Sequence, residues 1–206
     1  MKWEVSERRS VVDNRWLKVT RDVCTRPDGS LVDGYYVVHG GNWVNVTPVT
    51  TEGQLVLVRE YRHGFGEVLL GLPGGLIDDD DPSSCDAARR ELAEEVHGLK
   101  VLLVEQTARM VVNPSTHTNT GYSCMALVAP IASAKVIYSG EPDIEVELHD
   151  FCEIIVGALG DKTLMSGFDA ASLLRAFFRL GAHRELLTQE FNRRLGMLAE
   201  SFFHQP

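Results

Sequence analysis

The sequence has no basic run, no long apolar run and no paired cysteines. Its 206 residues include 20 lysines and arginines against 29 acidic residues, which gives a net charge of −9. Proteins that follow a phosphate backbone carry clustered positive charge, so we expect no nucleic-acid partner. No stretch reaches the length that a membrane span needs, so we expect no membrane partner either.

Cysteine is scarce and scattered. The four cysteines are Cys24, Cys85, Cys124 and Cys152, and none forms a CxxC pair. This spacing indicates neither a zinc site nor a disulfide framework, and it favours reduced, mostly buried thiols. The first residues lack the apolar stretch of a signal peptide, so we expect a cytoplasmic protein.

The order of strand and helix patterns predicts an α/β protein. Alternating β-formers separated by turn residues predict strands at 16–25, 31–39, 42–50, 55–61, 69–73, 101–112, 122–129 and 144–148. Apolar spacing of three and four residues predicts helices at 85–96, 150–159, 168–180 and 183–203. Gly74-Gly75 is expected to end the strand at 69–73, because glycine permits backbone angles closed to other residues.

Three glutamates of the helix at 85–96 carry the strongest chemical signal. Glu91, Glu94 and Glu95 stand at i, i+3 and i+4, so their carboxylates share one side of the helix. Clustered carboxylates repel one another unless a cation lies between them, and Mg²⁺ and Mn²⁺ prefer such oxygen ligands. A solvated helix face would also explain the glutamates, but the preceding Gly74-Gly75 and the acidic loop at 78–81 favour a metal site.

These residues resemble the Nudix box. That pattern begins with a glycine, followed by any five residues and a glutamate. Any seven residues then lead to the segment Arg-Glu-apolar-any-Glu-Glu-any-Gly-apolar. Gly75 matches the opening glycine, and Arg90-Glu91-Leu92-Ala93-Glu94-Glu95 matches the helical part. In that family the helical glutamates bind divalent metal ions. The resemblance implies a Mg²⁺ or Mn²⁺ site made by Gly75, Glu91, Glu94 and Glu95, with Glu94 and Glu95 also catalytic.

The match departs from the pattern in the loop and at the helix end. Gly75 and Arg90 are fifteen positions apart, one more than the pattern requires, and Asp80 or Asp81 stands where a glutamate is expected. After Glu95, either His97 replaces the final glycine or one residue is inserted before Gly98.

The resemblance extends beyond the box to the branch that hydrolyses ADP-ribose and nucleoside diphosphate sugars. Residues 15–19, 27–29, 56–62 and 70–78 look like that branch, and the likeness covers about 10 to 180. It implies a Nudix α/β/α sandwich with a mixed central sheet, preceded by an N-terminal antiparallel sheet and followed by C-terminal helices. The expected parts are 1–40 for dimerisation and base binding, 41–181 for the Nudix domain, and 182–206 for a C-terminal helix.

The same resemblance implies roles for residues outside the box. Trp16 would stack on the base, unless it is an ordinary core or interface tryptophan, and Arg62 would contact phosphates. Pro114, sixteen residues beyond Gly98, marks the ADP-ribose branch. Glu141 is the first choice for the residue that activates water and Asp143 the second, the alternative being a solvated acidic turn.

The strand that leads to the Nudix box differs from the ADP-ribose branch at one position. Gly71 stands where the branch usually carries a glutamate before Leu-Pro. One acidic contact to metal or water is therefore expected to be missing.

These observations predict a metal-dependent hydrolase that acts on a small-molecule nucleotide as a homodimer. It would cut the pyrophosphate of a nucleoside diphosphate derivative, ADP-ribose first, into a nucleoside monophosphate and a sugar phosphate. The alternatives are another nucleotide-sugar or dinucleotide pyrophosphatase, and a non-catalytic nucleotide-binding Nudix domain. A structural interaction protein with an acidic helix is a further alternative, and it would show no metal affinity that depends on the glutamates.

Overall fold

A computed structural model describes residues 1–132, 137–160 and 165–203. These residues fall into two compact units. The first comprises residues 1–42 together with 110–121, and the second comprises 43–109 together with the described residues from 122 onward.

The first unit is built on a three-stranded antiparallel sheet. Its strands follow one another in the order β1 (Glu4–Asp13), β2 (Lys18–Thr25) and β3 (Leu31–His39). Alternate side chains of β2 are buried, as expected for a strand with one covered face, and Asp22 is among them. Arg8 of β1 donates two hydrogen bonds to Asp22, at 2.9 and 2.7 Å, so this buried charge is paired.

The strand predicted at 16–25 begins two residues later than expected. The Asn14 side chain accepts hydrogen bonds from the backbone N–H groups of Trp16 and Leu17, which holds a tight turn before Lys18. Strand β1 lay outside the predicted strands because it is exposed along almost its whole length and lacks alternation.

The second unit contains a larger sheet and four helices. Among the described residues, the strand order of this sheet is β10-β5-β4-β9-β8, with β6 paired to β5 and β7 paired to β4. The strands are β4 (Trp43–Thr50), β5 (Gln54–Arg62), β6 (Glu67–Gly71), β7 (Gly74–Leu76), β8 (Val101–Met110), β9 (Gly121–Val128) and β10 (Ile144–Asp150). The helices are α1 (Ser84–Glu95), α2 (Phe151–Leu159), α3 (Gly167–Leu180) and α4 (Gln189–Phe203).

Two predicted elements differ from the structure. Gly74-Gly75 do not simply end a strand, because with Leu76 they form β7 and pair with β4. The helix predicted at 183–203 is split into a 3-10 helix, Arg184–Leu186, and α4. The helix is interrupted because the backbone of Leu187 is extended and because the Thr188 N–H donates to the carbonyl of Thr51 rather than within a helix.

Alternation along β5 explains how the helices cover the sheet. Leu55 and Leu57 pack into a core with α2, α3 and α4, whereas Val56 and Val58 pack into a second core with α1. Because successive side chains of a strand point to opposite faces, the sheet is covered on both sides. The predicted α/β sandwich, with an N-terminal antiparallel sheet and C-terminal helices, is confirmed. None of the described helices is long and apolar enough to cross a membrane.

Candidate active site

Helix α1 begins at a side-chain cap and buries one apolar stripe. The Ser83 hydroxyl accepts a hydrogen bond from the Asp86 N–H, which satisfies one of the free donors of the first turn. Ala88 and Leu92 are buried, and the next turn places Glu95 on the same side. Glu95 is therefore 7% exposed, an unusual environment for a carboxylate.

The glycines of β7 bring the strand against this helix. A Cβ on Gly74 would lie 2.2 Å from the backbone oxygen of Val44, and a Cβ on Gly75 would lie 2.5 Å from Oε1 of Glu91. Gly74 has no room for a side chain against this backbone, and a side chain at Gly75 would displace the Glu91 carboxylate. The approach also lets the Gly74 N–H donate to Oε2 of Glu95 at 3.2 Å.

The carboxyl group of Glu95 holds its proton more tightly than usual. Burial raises the pKa of Glu95 to about 8, against an opposing hydrogen bond from Gly74, and the nearby charges of Glu91, Glu141 and Glu60 raise it further. Burial also raises the pKa of Glu91, although the Arg90 guanidinium opposes that shift. The site thus concentrates negative charge that its own cations only partly compensate.

Arg90 connects the acidic loop to the helix. It donates to Oδ2 of Asp81 at 2.8 Å, to Glu91 at 2.8 Å, to Glu94 at 3.1 Å and to the carbonyl oxygen of Leu76 at 2.9 Å. Of the two aspartates that could replace the glutamate of the pattern, Asp81 makes this contact. The longer loop therefore still closes onto the arginine.

The end of α1 shows how the structure accommodates the departure from the Nudix box at His97 and Gly98. Gly98 has a φ of 87°, so the left-handed turn falls there and His97 behaves as one inserted residue. The His97 N–H donates to the carbonyl of Tyr138 at 2.8 Å, and a Cβ on Gly140 would lie 2.6 Å from the carbonyl oxygen of Glu94. These contacts fasten the segment that leads to Glu141 onto the end of the helix.

The two candidates for water activation lie on one wall of an open groove. Glu141 and Asp143 line it together with Glu60 and Arg59. Glu141 is one of the carboxylates whose charge raises the pKa of Glu95, so it lies near the helical glutamates. Sequence reasoning singled out Glu141 and Asp143 and noted His97 only as part of the irregular end of the box. It missed Tyr138, which belongs to no motif.

The donor set fits a hard divalent cation. Among the described residues, no three His, Cys, Asp or Glu side chains converge as ready ligands. The available donors are nonetheless all carboxylate oxygens, which Mg²⁺ and Mn²⁺ prefer. Burial, and after it the neighbouring acidic groups, raise the pKa values of Glu91 and Glu95, so a bound cation would stabilise their ionised forms.

A cleft of about 380 Å³ opens beside Gly75. Arg62 lines it and forms an ion pair with Glu60 at 2.8 Å, while half of its side chain remains exposed. The cleft is lined by Trp43, Val44, Asn45, Val58, Glu60, Arg62, Leu69, Leu70, Gly71, Leu72, Gly74, Gly75, Leu76, Ser166 and Asp169. Sequence reasoning named Arg62 and Gly75 but missed Trp43, Asn45 and Asp169, because these belong to no motif.

Trp16 and Pro114 belong to the first unit. Trp16 is 80% exposed, and the Arg15 guanidinium lies 3.9 Å from its ring centroid. Trp16 is therefore not a core residue of this chain, and its ring is open to a stacking partner. Pro114 is exposed in the loop at 111–120, between β8 and β9. The predicted roles of both residues stay predictions.

Sequence models of two domain families match the chain. The model of the nucleoside diphosphate sugar hydrolase N-terminal domain matches residues 3–38, and that of the NUDIX domain matches residues 42–155. The NUDIX match covers more than half of the sequence. The chain belongs to the Nudix family, as its box predicted.

Individual relatives agree with this family. A CMP-5'-(N-acetyl-N-hydroxy-3-aminopropyl)phosphonate hydrolase of Streptomyces rubellomurinus is 35% identical over 122 residues, which cover 55% of this chain and 57% of the relative. An ADP-ribose pyrophosphatase of Mycobacterium tuberculosis is 37% identical over 76 residues, which cover 37% of this chain and 36% of the relative. The matched segments thus span little more than half of the first relative and about a third of the second.

A solved structure has the same fold. The crystal structure of an ADP compounds hydrolase superposes with a TM-score of 0.71 at 22% identity, over 89% of this chain and 97% of its own. The two relatives are named as a hydrolase and a pyrophosphatase, which together with the NUDIX match supports the predicted class of enzyme.

Proposed function

We propose that this protein hydrolyses the pyrophosphate bond of a nucleoside diphosphate derivative, with ADP-ribose as the leading substrate. One observation carries the proposal. The glutamates of α1 meet the glycine strand β7 at the rim of a cleft that also holds Arg62. The site therefore offers hard oxygen donors for a cation beside a guanidinium group suited to phosphate.

Each residue has a distinct task in this proposal. Glu91, Glu94 and Glu95 would hold Mg²⁺ or Mn²⁺, and when bound the ion supplies positive charge that neutralises the pyrophosphate oxygens and polarises water. Arg62 exchanges its contact with Glu60 for a phosphate of the substrate. Glu141 accepts the proton of the attacking water, with Asp143 as the second candidate.

The names of the relatives favour a nucleoside linked through phosphorus to a second group. One relative is named for ADP-ribose, the solved structure for ADP compounds, and the other relative for a CMP-linked phosphonate. We rank ADP-ribose first because residues 15–19, 27–29, 56–62 and 70–78 resemble that branch. Another nucleotide-sugar or dinucleotide pyrophosphatase is the second candidate, since the CMP-phosphonate hydrolase shares more of the chain.

The remaining expectations belong to the same proposal. Trp16 and Pro114 would contribute to the base side of the substrate site, and the N-terminal sheet would form a homodimer. The cytoplasm is the compartment that we propose for this reaction.

A substrate panel with glutamate variants tests the proposed function. The wild-type protein with Mg²⁺ or Mn²⁺ should release phosphate from ADP-ribose after coupling to a phosphatase. Glu94→Gln and Glu95→Gln remove a charge with little change in volume, and activity should fall by about two orders of magnitude or more. Glu153→Gln, an exposed glutamate of α2, should retain full activity.

The outcomes separate the alternatives. Near-normal turnover by both variants of α1 would contradict the proposed metal ligands. A wild-type protein that binds ADP-ribose but turns over no member of the panel would be a nucleotide-binding Nudix domain instead.

A further inference from the structure

Gly71 leaves space that a carboxylate from another element fills. A Cβ on Gly71 would lie 3.2 Å from Oδ2 of Asp169, in the first turn of α3. The resembled branch carries a glutamate at the position of Gly71. An acidic group therefore reaches this part of the cleft after all, from a residue almost a hundred positions further along the chain.

Asp169 and Asn45 form a buried pair that lines the cleft. The Asn45 amide donates from Nδ2 to Oδ1 of Asp169 at 2.8 Å, and Asn45 is only 2% exposed. Both residues line the cleft. Since a carboxylate only accepts hydrogen bonds, this contact fixes the orientation of the amide. Oδ1 of Asn45 is left as an acceptor with no partner among the described residues.

The carboxylate of Asp169 also has acceptor capacity to spare. Its carboxylate accepts a hydrogen bond from the Asn45 amide, and its backbone N–H donates to the Ser166 hydroxyl. Burial raises the pKa of this carboxyl group, and the Asn45 amide and the charge of Arg62 oppose that shift. An ionised carboxylate can accept about four hydrogen bonds. Oδ1 of Asn45 is itself buried, so the acceptor that the pair offers to the cleft is the carboxylate of Asp169.

The surroundings of the pair indicate which ligand would supply those donors. Arg62 lies near enough for its charge to act on Asp169, and it is the phosphate-binding candidate of the cleft. Trp43 lines the same wall, its ring centroid 4.1 Å from that of Phe168. A carboxylate acceptor beside a phosphate-binding arginine and an indole matches a hydroxylated sugar attached to a diphosphate. A carboxylate that binds ribose hydroxyls is a recurrent arrangement in nucleotide sites.

We propose that Asp169, oriented by its hydrogen bond from Asn45, forms a subsite that accepts hydrogen bonds from the hydroxyls of the sugar attached to the diphosphate. This inference rests on the proposed function and adds the residues that select the leaving sugar. Asp169 reaches this position from α3 because Gly71 has no side chain in the way.

A pair of substrates that differ only in the sugar tests this subsite. We would measure kcat/KM, and affinity by calorimetry with Ca²⁺ in place of Mg²⁺, for ADP-ribose and for an alkyl ester of ADP without hydroxyls on the alkyl group. The wild-type protein should prefer ADP-ribose. Asp169→Asn should reduce kcat/KM and affinity for ADP-ribose by about tenfold or more, and leave the alkyl ester almost unchanged.

Two further variants distinguish a loss of sugar recognition from a loss of folding. Gly71→Ala keeps Asp169 but places a methyl group against its carboxylate, so the preference for ADP-ribose should fall in part. Glu153→Gln should leave the preference intact. Thermal melting of each variant reports whether the fold is retained.

Each outcome has one interpretation. A parallel loss for both substrates in a folded Asp169→Asn protein would overturn the subsite and indicate a role in the reaction or in the fold. An unchanged preference would also overturn it. If the wild-type protein hydrolyses neither substrate, the proposed function fails, while the calorimetric comparison still decides whether Asp169 recognises the sugar.

Discussion

Glu95 is the residue whose environment departs most from that of an ordinary side chain in the site. Its carboxylate is buried beside Gly74, and burial together with nearby acidic groups raises its pKa to about 8. A carboxyl group whose folded pKa is raised stabilises the fold at low pH and loses that contribution as the pH rises through the folded value. The metal-free protein should therefore bind a proton here at neutral pH.

A divalent ion must displace that proton, so its affinity should depend on pH. Between pH 6 and pH 8 the affinity for Mn²⁺, measured by calorimetry, should rise by up to about tenfold per pH unit, and it should level off above pH 8. Glu95→Gln has no proton to displace and should bind Mn²⁺ weakly, with a flatter pH profile. A wild-type affinity that does not change with pH would contradict a role for Glu95 as a ligand.

Replacing Trp16 and replacing Arg62 should impair substrate binding and turnover in different ways. A stacked base contributes about 1–3 kcal/mol, and the base is remote from the bond that breaks. Trp16→Ala should therefore raise the Michaelis constant for ADP-ribose by about fivefold or more, with a smaller effect on turnover. Arg62→Ala should weaken binding and also lower turnover, because charge on the pyrophosphate changes in the transition state.

Trp3 offers a matched control for Trp16 in the same unit. Its ring packs edge-on against Tyr35, with 5.9 Å between the centroids, whereas Trp16 has its ring open to solvent. Trp3→Ala should leave the Michaelis constant unchanged in protein that remains folded. If Trp16→Ala behaves like Trp3→Ala across purine and pyrimidine substrates, Trp16 does not contact the base.

At the scale of elements, the turn between β4 and β5 depends on one glycine for two reasons. Gly53 has a φ of 92°, which residues with a side chain adopt only at a cost. A Cβ on Gly53 would also lie 2.5 Å from Cδ2 of Phe191, a fully buried residue of α4. The turn thus packs directly onto the C-terminal helix.

Gly53→Ala should destabilise the second unit more than the same change at Gly66. Gly66 has a similar φ of 84°, but a Cβ added there would have no atom within 4 Å. Backbone strain should cost each variant about 1 kcal/mol of unfolding free energy, and crowding of Phe191 should add about 1–3 kcal/mol at Gly53 alone. Urea unfolding measures both, and equal losses would contradict the packing argument.

At the scale of the whole molecule, strand β1 has an exposed edge at which a strand of another chain could pair. It is an edge strand of the three-stranded sheet, and Val5 and Val11 are exposed on it. Exposed strands with apolar side chains are templates for association. This exposure supports the proposed homodimer.

Light scattering should therefore give about twice the chain mass of 22.9 kDa at micromolar concentration. Val11→Lys places a charge on the exposed strand and should shift the protein towards the monomer. Val68→Lys, at a similarly exposed valine of β6, should leave the dimer unchanged. A wild-type protein that scatters as a monomer would refute the dimer.

The sequence by itself determined the features that arise within short stretches of chain. Glu91, Glu94 and Glu95 share a side because helical spacing places them there, and the strand at 31–39 follows from local alternation. Strand β1 and the break before α4 could not be found in this way. The first lacks alternation because it is exposed, and the second is set by a hydrogen bond from Thr188 to the distant Thr51.

Only the tertiary structure decided which distant residues meet at the cleft. Asn45 and Asp169 are 124 positions apart, and their contact follows from the packing of α3 against β4. Glu141 lies near enough to influence Glu95 because the end of α1 holds the segment before it through Tyr138. Such contacts depend on the packing of whole elements, since no local periodicity or spacing encodes which side chains two separate surfaces will bring together.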